Sequence, residues 1–445
     1  MKRKYAQTLV AVVILGALWG WFDFYSKRKA KETTGSETKQ EKILTLGPDS
    51  IQSFTLKPRD GESLTCNREG GEWAIVEPMK LPADQDAVSS FLRSVTDATV
   101  DEVVDPHPAN VKPFGLDDPA ETITVVSKTK PENHVLLIGD ETPTSGGVYA
   151  QVGGNPRVVK LASYLKASLE KNLFDLRDKR AVSLNADQVK RIEVISKKAS
   201  YTLEKNPEGV WDLVLPPPVR ADHFTVDGLV NQLRDLSMRS VVAEDKRHGG
   251  DYGFAAPALT VRLQGPAASQ TLVLGREDLK QSGRYYAANS DLTPIFTLES
   301  SFLPQLEKQP ADLRDKDLFS FSQFDAKRID VSTPAGHRVF ELQKDKWKQT
   351  TPAAKDVPRD KIDDLLGSLR DLRAQSFPEG VSVTAAGLAK PAYRFVVEFG
   401  DKNQKETVEV SKAGDHVYAR RSDDPLPSEI SKDALGSIEK ALGKL

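Results

Sequence analysis

The sequence predicts an α+β protein with three tandem repeats of a mostly antiparallel sheet and packed helices, preceded by one transmembrane helix. Three observations lead to this prediction. A set of tryptophan, glycine, proline and tyrosine landmarks recurs three times in one order. Each copy holds alternating apolar stretches, typical of strands, and one stretch with apolar residues at helical spacing. An apolar run at the N-terminus is close to the length that spans a bilayer as a helix.

The repeat is defined by landmarks at matched spacing. Its tryptophans stand at positions 73, 211 and 347, at intervals of 138 and then 136 residues. A glycine-to-proline turn follows each tryptophan, and a Tyr-Ala pair follows each turn. The landmarks are Trp73, Gly115, Pro119 and Tyr149 in the first copy, Trp211, Gly253, Pro257 and Tyr286 in the second, and Trp347, Gly387, Pro391 and Tyr418 in the third. They divide the chain into module 1 (43–183), module 2 (184–318) and module 3 (319–445).

Each module is predicted to run from strands to a helix, then to further strands and a closing helix. A proline is expected to end each tryptophan strand, because proline cannot donate to the ladder. The prolines are Pro78, Pro216 and Pro352. The first helix is indicated by apolar stripes at Val88, Phe91, Leu92 and Val95, at Val226, Leu229, Val230 and Leu233, and at Ile362, Leu365, Leu366 and Leu369. Asp84 is a candidate cap in module 1, and Pro358 and Asp360 are start signals in module 3.

The remaining elements of the modules follow the same pattern. The glycine of each turn can adopt the left-handed conformation, and the proline favours an extended residue before it. Strands are predicted at 122–126, 259–263 and 394–399, and again at 136–138 and 272–274. Closing helices are predicted near 161–171, 302–308 and 434–442.

The N-terminus is predicted to be an uncleaved membrane anchor. Residues 1–25 hold Lys2, Arg3 and Lys4 before an apolar run that ends among aromatic residues, as in an interfacial belt. No small-x-small site follows the run, which argues against a removed signal peptide. Residues 26–42 are predicted to be a flexible charged linker. Basic residues flank both ends of the anchor, and we expect the N-terminus inside and the long hydrophilic part outside.

Composition excludes several classes of function. The net charge of −2 argues against a general nucleic-acid-binding protein. Cys66, the one cysteine, cannot form an intramolecular disulfide or a cysteine-based zinc site. It alternates with Leu64 on a predicted strand, so we expect a small buried side chain.

No polar pattern in the sequence carries a catalytic or cofactor-binding signature. Asp117-Asp118 and Asp423-Asp424 are candidates for calcium or acid–base chemistry. Modules 2 and 3 hold Ala255-Ala256 and Ala389-Lys390 at the first of these pairs, which favours a solvated turn there. The glycine-rich segment 139–147 lacks the Gly-Lys-Ser/Thr ending of a phosphate loop and is predicted to be a hairpin loop.

The histidines and the charged junction give no stronger signal. No two histidines have the spacing of a helical metal site. Residues 177–180 are predicted to form a solvated linker face. We therefore expect no cofactor, no metal and no enzymatic activity.

The recurring tryptophans and tyrosines have two interpretations. They could line a groove for a glycan or peptide, or they could be core or sheet-edge aromatics that anchor each module. The second interpretation is favoured.

These landmarks resemble those of the bacterial family known as domain of unknown function 4340. The resemblance is carried by the N-terminal anchor, by Trp73-x-x-x-x-Pro78, Phe114-Gly115-Leu116-x-x-Pro119, Leu137-Ile138-Gly139 and Val148-Tyr149-Ala150, and by the matching residues of module 2. Module 3 diverges most, with Ser411 where Gly139 and Gly275 stand. The family is found beside ABC-type export components that look like gliding-motility transporters, which implies an envelope accessory role and supplies no active-site residues.

The function expected from this combination is that of a non-enzymatic protein of the bacterial cell envelope. It would cross the inner membrane once, with the C-terminal bulk in the periplasm, and would be an accessory or scaffold for an ABC-type transport complex. The alternative is a module that binds an envelope glycan, peptide or lipid. The expected partners are the membrane, through the N-terminal helix, and a protein of the transport complex, with no nucleic acid.

Overall fold

The computed structural model describes residues 41–128, 132–143, 146–214, 218–246, 251–424 and 426–445. The predicted anchor at 1–25, all but the last two residues of the predicted linker and Pro216 lie outside these ranges. Within them, no helix has both the length and the apolar composition needed to cross a bilayer.

The chain forms two compact units, the first ending at Lys179 and the second covering Arg180–Leu445. Three antiparallel sheets of nine strands each are present in the described residues. The first sheet belongs to the first unit, and the other two belong to the second. The protein is therefore α+β with tandem antiparallel sheets, as the sequence predicted.

The first sheet holds the strands of module 1. They are β1 (Ile51–Pro58), β2 (Leu64–Glu69), β3 (Glu72–Glu77), β4 (Leu81–Pro82), β5 (Glu102–Asp105), β6 (Glu121–Ser127), β7 (Asn133–Glu141), β8 (Gly147–Val152) and β9 (Val158–Ala162). Their order is β4-β3-β2-β1-β6-β7-β8-β9-β5. The earliest strand therefore lies inside the sheet, and the two short strands β4 and β5 form its edges.

The second sheet repeats this order in module 2. Its strands are β10 (Arg191–Ser196), β11 (Ser200–Lys205), β12 (Trp211–Leu213), β13 (Val219–Arg220), β14 (Ser240–Ala243), β15 (Leu259–Gln264), β16 (Ser269–Glu277), β17 (Arg284–Asn289) and β18 (Ile295–Glu299). The order is β13-β12-β11-β10-β15-β16-β17-β18-β14, which is the order of the first sheet strand for strand.

The third sheet has the same order again in module 3. Its strands are β19 (Ala326–Thr333), β20 (Gly336–Gln343), β21 (Lys346–Thr351), β22 (Lys355–Asp356), β23 (Ala374–Ser376), β24 (Tyr393–Phe399), β25 (Gln404–Ala413), β26 (His416–Arg421) and β27 (Ser428–Ile430). The order is β22-β21-β20-β19-β24-β25-β26-β27-β23.

Each module places one amphipathic helix between its two edge strands. These helices are α1 (Gln85–Asp97), and in the other modules His223–Arg234 and Arg359–Arg370. Asp84 caps α1 as predicted, because its side chain accepts a hydrogen bond from the backbone N–H of Ala87. The predicted apolar stripes are buried in all three helices except at Val230, which is half-buried.

The closing helices are shorter than predicted in modules 1 and 2. In chain order the helices after α1 are α2 (Tyr164–Leu169), α3 (Leu173–Leu176), α4 (His223–Arg234), α5 (Leu303–Leu306), α6 (Pro310–Leu313), α7 (Arg359–Arg370) and α8 (Lys432–Gly443). The prediction that a helix begins at Leu161 is wrong. Leu161 belongs to β9, where it pairs with Val148 of β8 and its side chain is fully buried, so the helix begins only at Tyr164.

The cores lie between each sheet and its helices. In module 1, Phe54, Phe91 and Trp73 form one aromatic cluster, with ring centroids 5.1 and 5.5 Å from Phe54. Cys66 is fully buried in the same core, as predicted, and burial raises the pKa of its thiol to about 12. It is therefore a packing residue with little thiolate character.

Candidate functional site

The glycine-to-proline turns of modules 1 and 2 have the same geometry. Gly115 and Gly253 adopt positive φ angles of 66° and 81°. The ring before each glycine packs edge-on against the landmark tyrosine: Phe114 lies 5.0 Å from Tyr149, and Tyr252 lies 5.1 Å from Tyr286.

A second glycine in each of these modules lets the turn approach the sheet. A Cβ on Gly139 would lie 2.1 Å from the carbonyl oxygen of Phe114, and one on Gly275 would lie 2.0 Å from that of Tyr252. Only a residue without a side chain fits such a distance. The predicted hairpin loop at 139–147 is shorter than expected, because β7 continues through Gly139 to Glu141.

Module 3 has Ser411 at the position of Gly139 and Gly275, and its turn accommodates the serine side chain. Gly387 keeps a positive φ of 73°, and the small Ala386 packs with Leu388 and Tyr418. The Ser411 hydroxyl donates to the carbonyl oxygen of Gly387 at 2.9 Å and accepts from the backbone N–H of Ala392 at 3.1 Å. A side-chain hydrogen bond therefore replaces close backbone contact in this copy.

The landmark tryptophans are core residues in all three modules. Trp73, Trp211 and Trp347 are 5%, 5% and 4% exposed. Their indole rings leave no open face on which a sugar could stack. The prolines at 119, 257 and 391 each stand two residues ahead of the central strands β6, β15 and β24.

The prediction of a solvated face at 177–180 is wrong for its first arginine. Arg177 is 4% exposed. The cause is backbone pairing, since Arg177 forms a β-bridge with Ala83 and the N–H of Asp178 donates to Pro82 at 2.9 Å. The junction segment thus continues the sheet edge beside β4, which removes the arginine from water.

The matching segment of module 2 forms a buried contact with module 3. Arg314 bridges to Ala221 and is 6% exposed. Its guanidinium lies 3.8 Å from the ring of Phe377, and its Nη2 donates to Oδ2 of Asp424 at 2.9 Å. Asp424 is therefore a partner in a buried ion pair within the second unit, a role that its sequence position did not reveal.

More charged groups surround this ion pair. Arg220 lies 3.3 Å from Asp315 and 3.7 Å from Asp423. Arg421 donates to Asp423 at 2.8 Å and to the carbonyl oxygen of Leu318 at 3.2 Å. Burial alone would raise the pKa of Asp423, but the hydrogen bond from Arg421 and the charges of Arg421 and Arg220 lower it. This network stabilises one defined arrangement of modules 2 and 3.

Module 1 contains a cavity of about 460 Å³ lined by three glutamates, of which Glu62 is exposed. Glu121 is 2% exposed, and its Oε1 has no hydrogen-bond partner among the residues that the structure describes. Oε1 of Glu170, from the segment after α2, is also buried without a partner in this part of the chain. Burial and the nearby charge of Glu170 raise the pKa of Glu121 to about 7. The cavity can therefore accept a hydrogen-bond donor or a cation.

Sequence reasoning missed this pair, although part of the signal was present. Glu121 begins β6, where it alternates onto the same face as Ile123 and Val125, both fully buried. An ionisable residue on the core-facing positions of a strand is unusual. Asp117 and Asp118 are exposed in the turn before this strand, as predicted. No group of three His, Cys, Asp or Glu side chains suited to a metal ion occurs in the parts of the chain that are described.

Sheet order, repeated turns and a buried junction together define a tandem-repeat α+β protein. The chain belongs to the family described as a domain of unknown function, DUF4340, whose sequence profile matches residues 73–216 and 211–391. Each match runs from a landmark tryptophan into the following module. No curated protein matches the chain.

Proposed function

We propose that this protein is a non-enzymatic, membrane-anchored protein of the cell envelope and an accessory or scaffold for an ABC-type transport complex. The observation that supports the proposal is the repetition of one nine-stranded sheet, with modules 2 and 3 fixed to each other by the Arg314–Asp424 pair. Repeated modules joined by a defined contact present binding surfaces at a constant spacing. Residues 1–25 anchor the chain in the inner membrane, and the bulk lies in the periplasm.

The anchoring part of the proposal is tested by protease protection. Intact cells should protect the chain, whereas cells with a permeabilised outer membrane should lose residues 43–445 to added protease. A variant without residues 1–25 should not remain in the membrane fraction. Protection of the bulk after permeabilisation would contradict the orientation.

The scaffold part is tested by site-specific crosslinking in membranes. Phe224, Leu279 and Phe324 are 76%, 86% and 88% exposed, so each can carry a photoreactive residue without disturbing a core. The matched control is Asp415, whose side chain is 99% exposed and charged. A crosslink to a transport protein from an apolar position, but not from Asp415, supports the proposal. Recovery of the uncrosslinked chain from all three apolar positions would count against a stable complex.

The alternative is binding of an envelope glycan, peptide or lipid. The observation that favours it is the cavity of module 1, because the three buried tryptophans cannot form the ligand groove. No binding to glycan, peptide or lipid arrays would count against the alternative, and binding that survives filling of this cavity would show that the ligand binds elsewhere.

A further inference from the structure

The three modules can be compared at one place, where the first hairpin meets the closing helix. The first strand of each module pairs with its hairpin partner on one side and with the strand after the glycine-to-proline turn on the other. Leu56 pairs with Leu64 and Ile123, Val194 with Tyr201 and Val261, and Val331 with Arg338 and Phe395. Leu64, Tyr201 and Arg338 therefore occupy equivalent positions.

Modules 2 and 3 place their own polar side chains here, and module 3 retains a smaller cavity of about 270 Å³ that Arg338, Tyr393 and Glu439 line. The hydroxyl of Tyr201 donates to the carbonyl oxygen of Leu306 at 2.9 Å, at the end of α5. Arg338 donates to the carbonyl oxygen of Leu442 at 2.9 Å, near the end of α8. In module 2 an ammonium group is also present, since Nζ of Lys198 lies 2.8 Å from Oε2 of Glu307.

Module 1 has the carboxylates, but among its described residues no lysine or arginine pairs with them as Lys198 pairs with Glu307. Glu170 and Glu307 each stand five residues before an Asp-Leu-Arg-Asp-Lys segment, so they are equivalent. The hairpin turn of module 1 carries Asp60, Glu62 and Arg59, whose guanidinium is engaged by Asp118 and Asp140, whereas that of module 2 carries two lysines. Leu64 offers no polar group where Tyr201 and Arg338 stand. The acceptor is retained in module 1, but among the described residues no donor reaches its buried oxygen.

Glu121 adds a second acceptor that the other modules lack. By register, the equivalent residues are Leu259 and Tyr393. The hydroxyl of Tyr393 donates to Glu439 at 2.5 Å, so the carboxylate of module 3 is satisfied within the chain. Two buried, unpartnered carboxylate oxygens facing one cavity are unfavourable unless a donor reaches them.

The rest of the cavity is suited to an alkyl chain with one positive end. Its walls include Pro58, Leu64 and Leu173, and its polar lining is acidic apart from Lys171 and Asn172. Nζ of Lys171 already donates to the carbonyl oxygen of Ala167 at 2.6 Å. The volume of about 460 Å³ is within the range of small-ligand sites.

We propose that the cavity of module 1 binds a primary ammonium group on a short alkyl stem, with Glu121 and Glu170 accepting its hydrogen bonds. The apolar walls contact the alkyl stem. The bound ammonium forms an ion pair with Glu170, as Nζ of Lys198 does with Glu307. Its source is a free amine or the lysine side chain of a peptide, which share this chemistry.

Calorimetry on the full chain tests the proposal with 1,5-diaminopentane, Nα-acetyl-lysine amide and the neutral 1-pentanol. Both amines should bind at least tenfold more tightly than the alcohol. Binding of acetyl-lysine amide alone would assign the site to a peptide lysine, and binding of the diamine alone would assign it to free amines. Equal affinity for amine and alcohol, or no binding by either amine, would overturn the proposal.

Substitutions locate the binding to this cavity. Glu121→Gln and Glu170→Gln should each weaken amine binding tenfold or more. Leu64→Tyr, which introduces the side chain found at the equivalent position of module 2, should abolish it. The matched control is Glu439→Gln, whose carboxylate already accepts from Tyr393, and amine affinity should not change. Wild-type affinity in both glutamine variants would refute the assignment, even if the tyrosine variant fails to fold.

Discussion

Removal of the Asp424 carboxylate should loosen the junction between modules 2 and 3. The Arg314 side chain is 6% exposed, and its Nε lacks a hydrogen-bond partner within the described part of the chain. Asp424→Ala would leave this guanidinium in a site with little water, in contact with the ring of Phe377. Loss of one partner from a buried ion pair costs about 3–5 kcal/mol. The cost should appear at the junction, because the cores of both sheets remain intact.

Hydrogen exchange read by mass spectrometry measures this effect locally. Amides in 312–320 and 418–424 should lose protection by about two to three orders of magnitude, since each factor of ten corresponds to about 1.4 kcal/mol. The matched control is Asp415→Ala, which removes a pair with Lys432 that is largely exposed. Such a pair contributes about 0–1 kcal/mol, so exchange should hardly change.

A double variant separates the lost charge from the lost shape. Arg314→Met combined with Asp424→Leu replaces the ion pair by apolar side chains of similar size, and should recover most of the protection. If Asp424→Ala exchanges like the wild type, the ion pair does not hold the junction. If the double variant is as unprotected as the single one, the packing around the pair matters more than its charge.

Three other substitutions, one of them with a matched control, test the buried features of the modules. Because the pKa of Glu121 is raised to about 7, the folded state holds one more proton than the unfolded state between about pH 4.5 and 7. The free energy of unfolding should therefore fall by about 3 kcal/mol as pH rises through this window. Glu121→Gln should remove this pH dependence, which urea titrations at several pH values measure. Gly275→Ala places a Cβ 2.0 Å from the carbonyl oxygen of Tyr252 and should lower the free energy of unfolding by about 3 kcal/mol. Its control is Gly228→Ala, where nothing lies within 4 Å of the added Cβ, and this change should stabilise α4 by about 1 kcal/mol. Thermal unfolding distinguishes the two alanine variants. Equal melting temperatures would refute the argument that the turn contacts the sheet too closely for a Cβ at position 275. Trp211→Ala should cost about 3–5 kcal/mol, and a change below about 1 kcal/mol would contradict its role in the core.

The helices and the glycine-containing turns could be predicted from the sequence, because they depend on residues that are close together in the chain. The stripes of α1, α4 and α7 follow helical spacing, and the glycines at 115, 253 and 387 were placed correctly at positive φ because such turns need them. The family resemblance was confirmed, since the family profile matches residues 73–216 and 211–391. Periodicity and turn chemistry are readable from neighbouring residues, so three copies of one pattern reinforce the prediction.

Features that depend on distant strands were not predictable in this way. Arg177 became buried because its backbone pairs with Ala83, more than ninety residues earlier. Glu121 and Glu170 meet through the sheet register and the position of the segment after α2, which no local window contains. Alternation predicted strands, but it did not predict that the strands flanking each helix occupy opposite edges of the sheet.

The edge strands of the sheets affect how three copies can coexist in one chain. In module 1 the outermost strands, β4 and β5, are two and four residues long, and both are tethered to α1. Short edges offer few unpaired N–H and C=O groups to another strand. Neighbouring copies of similar sequence otherwise tend to exchange strands during synthesis and misassemble. A module whose two edge strands are short and directly connected to its own helix can be duplicated with little risk of such strand exchange.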